Sequence, residues 1–298
     1  MIYIKAIQFT RITLGQRDAV NRIRAKYRHT LSAWHAFHSL FLWQNALRLT
    51  LHLEEELFAV KYGLAGENCY FMPCGAPNAV NAFLADLREQ GGFRLFFLRS
   101  EDVRLMSQTF SSAFRFRYDR NSSEYLYDID AGCLLKGKDY RNIRHKLQKI
   151  RNQHRITAEP LTADSIPAAE EIVRKWQAQK CLTDNSVLDD VRSSRCFFNN
   201  MLALSARGTI ISLDGVPSAV AAGIPLSETV FDFCIHKQIS NDRGLGTLSY
   251  QMLMQQLRGQ YLLLNAEEDM GMAGLRLNKQ EMKPCRMNRM WEAVYGQE

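Results

Sequence analysis

Residues 209–213 and 216–223 are strand-like runs joined by Asp214-Gly215, the two-residue signature of a type I′ hairpin. A third such run, 229–236, leads to a helix over 247–258, the apolar strand 261–265 and a turn or helix beginning at Glu267. The first half of the chain runs through the same order. Residues 49–53, 57–62 and 69–72 predict successive antiparallel strands, the first two joined by the acidic turn 54–56. After Pro73 and Pro77 come a helix over 78–90, Gly91-Gly92, the strand 93–98 and a helix over 100–110. LREQGGFRLFFLRSEDV and LRGQYLLLNAEEDM are also locally alike. Repetition of one strand, strand, strand, helix, strand unit predicts an α+β chain of two modules, 1–133 and 134–298, each a mixed, mostly antiparallel sheet flanked by helices. Ahead of the first unit, 18–29 reads as a helix with Asp18 as its N-cap, and 31–49 as an aromatic-rich helix or helix pair.

The second module opens on KGKDYRNIRHKLQKIRNQHR, residues 136–155. Lys136, Lys138, Arg141, Arg144, Lys146, Lys149, Arg151 and Arg155 stand against Asp139 alone, a net +7 that equals the charge of the whole 298-residue chain. Tyr140, Ile143, Leu147 and Ile150 fall on one narrow helical face, so the segment docks by one side and offers a cationic ridge on the other. A helix that serves solubility alone interleaves acids for i,i+4 pairs. Their absence favours an anionic partner, nucleic acid, phosphate or a membrane surface, over a merely solvated face.

Seven cysteines without a C-x-x-C pair suggest neither a disulfide framework nor a zinc cage, so no metal is expected and a reducing cytoplasm fits. The N-terminus lacks the apolar core of a signal peptide. The most apolar stretch, 31–49, carries His35, His38, Gln44, Asn45 and Arg48, too many polar groups for a transmembrane segment. The expected location is cytoplasmic, peripheral to the inner membrane face if an anionic membrane is the partner.

Two clusters are candidate sites. The loop after strand 229–236 leads into a helix N-terminus, where Arg243, Gly244, Gly246 and Thr247 suit an anion; an ordinary tight turn has the same glycines. His236, at the end of that strand, is a candidate base, although a lone histidine there is more often structural. In NAEEDMGMAGLRLNKQEMKP, residues 265–284, the carboxylates Glu267, Glu268 and Asp269 repel one another. Beside a strand end they need a cationic partner or an amine ligand, and Arg276 and Lys279 are the nearest cations. An acidic helix N-terminus is the alternative, and it does not account for Gly271 and Gly274.

These residues carry a resemblance. Leu135, Gly137, Lys138, Tyr140 and Arg144, with Asn265, Glu267, Asp269, Gly271, Gly274, Leu275, Arg276 and Lys279 near the C-terminus, resemble the paired motifs of proteins similar to the C-terminal domain of phosphatidylglycerol lysyltransferase. Asn241-x-x-Gly244-x-Gly246 is similar to the phosphate loop of the N-acetyltransferase superfamily and departs from it at its first position. The resemblance implies a tandem N-acetyltransferase-like fold and aminoacyl transfer from aminoacyl-tRNA to an amine or hydroxyl of a lipid headgroup, peptide or small molecule. On that expectation Lys138, Arg141, Arg144, Lys146, Lys149 and Arg151 grip tRNA phosphates, and Glu267 or Asp269 holds the donor's amino group or side-chain cation. Asn265 and Glu268 line the substrate site, and Arg276 and Lys279 stabilise the oxyanion or the tRNA 3′ end. No cofactor is required. The rivals are an acyl-CoA-dependent N-acyltransferase and a non-catalytic module that binds RNA or an anionic membrane. The first module's equivalent loop, PCGAPNAV, has no cation and suggests a scaffold.

Overall fold

The computed structural model describes residues 7–110, 113–180, 185–239, 242 and 244–296. In chain order the first half forms α1 (Arg17–Lys26), α2 (Phe37–Trp43), β1 (Leu49–Leu53), β2 (Leu57–Tyr62), β3 (Cys69–Phe71), β4 (Cys74–Gly75), α3 (Pro77–Gln90), β5 (Phe93–Arg99), α4 (Ser100–Phe110) and β6 (Phe114–Asp128). Then follow α5 (Ile129–Leu134), α6 (Arg141–Gln153), β7 (Ile156–Pro160), α7 (Ile166–Ala178), α8 (Asn185–Asn199), β8 (Arg207–Leu213) and β9 (Val216–Pro225). The chain ends with β10 (Val230–Gln238), α9 (Leu245–Leu257), β11 (Leu263–Asn265), α10 (Ala273–Glu281) and β12 (Arg286–Tyr295). The fold is α+β, with mixed, mostly antiparallel sheets flanked by helices.

Two compact units result, Met1–Ser123 with Asn288–Glu298, and Glu124–Met287. The expected break after residue 133 falls at the end of α5, whereas the units divide inside β6. The last strand of the chain belongs with the first unit. FRFRYDRNSSEYLYD is too polar at its start to read as a strand, which hid β6.

In the first unit the strand order is β1-β2-β3-β5-β12. β1/β2 and β2/β3 are antiparallel, with Leu51 opposite Val60 and Lys61 opposite Tyr70; β3/β5 is parallel and β5/β12 antiparallel. α3 begins with Pro77 in its first turn and buries Val80, Phe83, Leu84 and Leu87 against Leu95, Leu98 and Ala293. Two expectations need correction. α1 starts at Arg17 with Gln16 as N-cap, so Asp18 lies in the first turn, where it meets the helix dipole but does not cap. Of 31–49 only Phe37–Trp43 is α-helical. Buried Arg24 donates to the carbonyls of His29 and Ser32, and Trp34 stacks flat on Phe97 at 3.7 Å, so the aromatic run before α2 packs without helical periodicity.

In the second unit the order is β7-β8-β9-β10-β11, followed by the end of β6. Asp214 and Gly215 both have positive φ, 54° and 84°, the geometry of a type I′ turn, and Leu213 pairs with Val216. β10 and β11 are parallel from Val230 and Leu263 to Asp232 and Asn265, where β11 ends while β10 continues to Gln238. The apolar face of α6, Ile143, Leu147 and Ile150, packs with Leu245, Leu248 and Leu253 of α9. Each such side chain contributes about 1.5–3 kcal/mol of burial, enough to anchor a helix otherwise covered in cations.

Candidate functional site

The parting of β10 from β11 leaves Asp232 and Asn265, both fully buried, as the last paired residues, and the chain leaves β11 through the loop 266–272. Ala266 N–H donates to the Tyr125 carbonyl and Tyr125 N–H to the Glu267 carbonyl, each at 3.0 Å, so the loop begins as an extension of the ladder to β6. Glu267 N–H donates to Asn265 Oδ1 at 2.7 Å. Glu267 and Met270 have φ of 57° and 50°, unusual for side chains with a Cβ. Lys279, reaching back from α10, donates to the carbonyls of Ala266, at 2.5 Å, and Glu268. It is buried, and its ammonium lies 5.7 Å from the Tyr125 ring centroid.

The three adjacent acids have different environments. Asp269 is fully buried and accepts from Tyr125 O–H at 2.6 Å, from Gly271 N–H at 2.9 Å, and from Arg276 through a two-pronged contact at 2.8 Å. It is occupied in holding the loop to α10. Glu267 and Glu268 are half-buried. Burial, with the Asp232 and Glu268 carboxylates behind it, pushes the Glu267 carboxyl well above its ordinary range, against the pull of Lys279. Burial raises Glu268 as well, and Lys279 again opposes it. The Lys279 ammonium is lowered by its own desolvation, which Glu268 and Glu267 partly offset. Carboxylates thus outnumber cations here, which suits an amine ligand.

Asn265, Glu267, Glu268, Asp269, Arg276 and Lys279 are therefore gathered in one place. Asp232 and Tyr125 join them without having been singled out in the sequence. Asp232 is a lone acid in the apolar strand VFDFCI, the one hint of its role, whereas Tyr125 lies 144 positions from its partner Asp269.

His236 is half-buried beside Phe233 and edge-on to Tyr250 at 5.4 Å. Burial first, then Lys237 and Lys279, pulls its pKa down to about 3, so the ring is neutral. α9 starts at Leu245 with Gly244 as N-cap, and Thr247 lies inside the helix, where it caps nothing. A Cβ on Gly244 would sit 3.0 Å from the Lys146 carbonyl, and one on Gly246 3.2 Å from Gln238 Oε1. These two glycines admit α6 and β10. Arg243, and Asn241 of the same loop, lie outside the described residues.

The basic residues divide similarly. Arg144 donates to the carbonyls of Leu135 and Gly137, closing the turn into α6. Lys146 pairs with Glu281 of α10 at 2.6 Å, and Arg151 donates to Gln251 of α9 at 2.7 Å. Lys138, Arg141 and Lys149 are exposed and carry no ion pair among the described residues. No group of three or more metal-ligating side chains occurs among the described residues, and no described helix is long and apolar enough to cross a membrane.

The chain resembles a conserved protein of unknown function from Bacteroides thetaiotaomicron, 23% identical over 97% of this chain and 99% of that one, with a TM-score of 0.87. It also resembles the C-terminal domain of a putative lysylphosphatidylglycerol synthetase from Agrobacterium fabrum, 15% identical over 95% and 92% of the two chains at a TM-score of 0.63. A tandem GNAT protein of the clavulanic acid biosynthesis pathway matches at 11% identity over 98% and 99%, with a TM-score of 0.50. These likenesses give the fold, tandem N-acetyltransferase-like modules. Among curated proteins, none is significantly similar in sequence. The family described as phosphatidylglycerol lysyltransferase, C-terminal, matches residues 18–296, and the chain belongs to it.

Proposed function

We propose that this chain is an aminoacyltransferase that moves an aminoacyl group from aminoacyl-tRNA to an amine or hydroxyl acceptor. The observation that carries the reading is the unequal use of the acids: Asp269 is consumed by Arg276 and Tyr125, while Glu267 and Glu268, backed by Asp232, remain half-buried around Lys279. That excess of carboxyl groups at the strand parting suits the ammonium of an aminoacyl group, whose charge would favour their ionised forms, and a donor with a second, side-chain cation best of all. Family membership supports the same chemistry.

In the reaction, the acceptor's N–C or O–C bond forms as the ester C–O bond to the tRNA ribose breaks, and the acceptor's proton passes to the ribose oxygen. The ester is already activated, so positioning does most of the work and no cofactor is required. Lys279 holds the carbonyls on which the loop geometry depends, and Arg276 acts through Asp269 as a positioning residue. The exposed Lys138, Arg141 and Lys149 would meet tRNA phosphates. Such a donor implies a cytoplasmic protein. The acyl-CoA alternative gains no comparable support, because the space over Gly246 belongs to Gln238 and His236.

The test is tRNA binding across a salt series with free CoA as the parallel ligand. A steep fall of tRNA affinity with salt is expected. Tight CoA binding with no measurable tRNA affinity would overturn the proposal.

A further inference from the structure

The two units share one irregularity. In the first, Leu95 and Leu98 of β5 pair with Ala293 and Trp291 of β12, so Phe96 and Phe97 together face Glu292, a β-bulge. In the second, Ala266 N–H donates to the Tyr125 carbonyl and Tyr125 N–H to the Glu267 carbonyl, so Ala266 and Glu267 together face Tyr125. The second residue of each bulge is left-handed, with φ of 58° at Phe97 and 57° at Glu267. Each bulge lies at the end of a short parallel ladder, Cys69–Phe71 with Arg94–Phe96 in one unit and Val230–Asp232 with Leu263–Asn265 in the other. Phe97 is thus the counterpart of Glu267, and a residue with a Cβ keeps that backbone only where its surroundings hold it there.

Where Glu267 is half-buried among other acids, Phe97 is buried under an indole. Trp34 stacks flat on it, the ring centroids 3.7 Å apart and the planes 9° from parallel, and stands edge-on to Phe71 at 6.3 Å. The stretch that carries Trp34 is tied down along its length. Trp34 Nε1–H donates to the Ser122 carbonyl at 3.0 Å, and His35 Nε2 lies 2.8 Å from the Met72 carbonyl. Arg24 donates to the carbonyls of His29 and Ser32, and Arg99 to that of Arg28 at 3.1 Å. Residues 28–35 therefore form a strap over the end of the β3/β5 ladder, touching Met72 after one strand and Phe97 on the other. Trp34 is half-buried, so part of the indole reaches solvent. We propose that the first unit holds an aromatic-ring site at the place where the second unit presents its acidic loop, and that its occupant is the chain's own Trp34. The ligand class is a flat aromatic with one N–H: the face of Phe97 takes the ring and the Ser122 carbonyl takes the hydrogen. The proposal does not depend on the transferase reading. Combined with it, it leaves one donor site per chain.

Chemical complementation of the full chain tests it. Trp34→Ala lowers the unfolding midpoint, and indole at ten times its dissociation constant raises that variant's midpoint by about 3 °C while leaving the parent's where it was. Cyclohexanol, which lacks a flat face, raises neither. Where Trp34→Ala alone is insoluble, indole in the refolding buffer restores soluble protein, and Trp34→Phe, which keeps a ring on Phe97 but has no N–H for Ser122, folds without it. Indole that neither stabilises nor rescues Trp34→Ala overturns the proposal. So does a response of the parent to indole, which would put the binding elsewhere, and so does equal rescue by cyclohexanol, which would make the space a cavity with no preference for a ring.

Discussion

Asp269 and Arg276 meet through two hydrogen bonds of 2.8 Å, Nε to Oδ2 and a terminal guanidinium nitrogen to Oδ1, with the carboxylate fully buried. The contact fixes where the acidic loop turns into α10. Arg276→Lys keeps the charge and loses the fork, so the denaturant midpoint of the protein falls. Asp269→Asn, which leaves Arg276 without its counter-charge, lowers it as well. An R276K protein as stable as the parent would show that the fork does not hold the loop.

In the first unit, the pH dependence of stability follows from two histidines. His35 Nε2 lies 2.8 Å from the Met72 carbonyl, which can only accept, so that nitrogen carries a hydrogen. Burial pulls the His35 pKa from 6.5 to about 4, and His29, its ring centroid 4.9 Å away, is also pulled well below 6.5 by burial and by His35. The unfolded chain takes up these protons more readily. Stability is therefore full above pH 6.5 and is lost as pH falls from there toward 4, by about 3 kcal/mol from His35 alone. Urea titrations at stepped pH would show the slope, and a flat profile over that window would contradict it.

The two faces of α6 separate stability from binding. Leu147 is 1% exposed in the second unit's core, and Leu147→Ala costs about 2–5 kcal/mol in a denaturation experiment. Arg141→Glu with Lys149→Glu leaves the midpoint where it was and removes salt-dependent tRNA retention in a filter assay. Retained binding in that double variant would remove α6 from the tRNA contact.

Glycine substitutions distinguish a position that supports the site from one that does not. A Cβ at Gly223 would lie 1.7 Å from the Asp232 carbonyl oxygen, backbone that cannot yield, whereas nothing lies within 4 Å of one at Gly274. Gly223→Ala destabilises by about 1–3 kcal/mol and lowers turnover by displacing Asp232. Gly274→Ala stabilises by about 0.5–1 kcal/mol, as expected for a helical glycine in open space. Equal effects at the two positions would count against this difference.

What is legible in the sequence follows the range of the physics. Asp214-Gly215 announces its hairpin because a type I′ turn demands positive φ at both positions, a local requirement written in two residues. α6 is legible because its apolar and basic residues segregate within a few turns. Glu267, Glu268, Asp269, Arg276 and Lys279 are close enough in the chain for charge alone to suggest that they interact. Which acid is spent on the loop and which two remain is decided by Tyr125, brought in from β6, and by Asp232, inside a strand that otherwise reads as core. Neither leaves a periodic signal. The segment 31–49 misleads for the converse reason: its aromatic residues pack on several sides of an irregular path, and dense apolar composition imitates a helix.

Single-turnover transfer from a pool of aminoacyl-tRNAs to a mixture of amine and hydroxyl acceptors, with the parent protein beside Glu267→Gln and Glu268→Gln, shows whether the acidic loop holds the aminoacyl donor. The labelled aminoacyl group passes from tRNA to an acceptor in the parent, and transfer is at least about a hundredfold slower in both variants, with tRNA retention intact. Transfer at the parent rate in both variants would contradict the assignment of the acidic loop as the donor site.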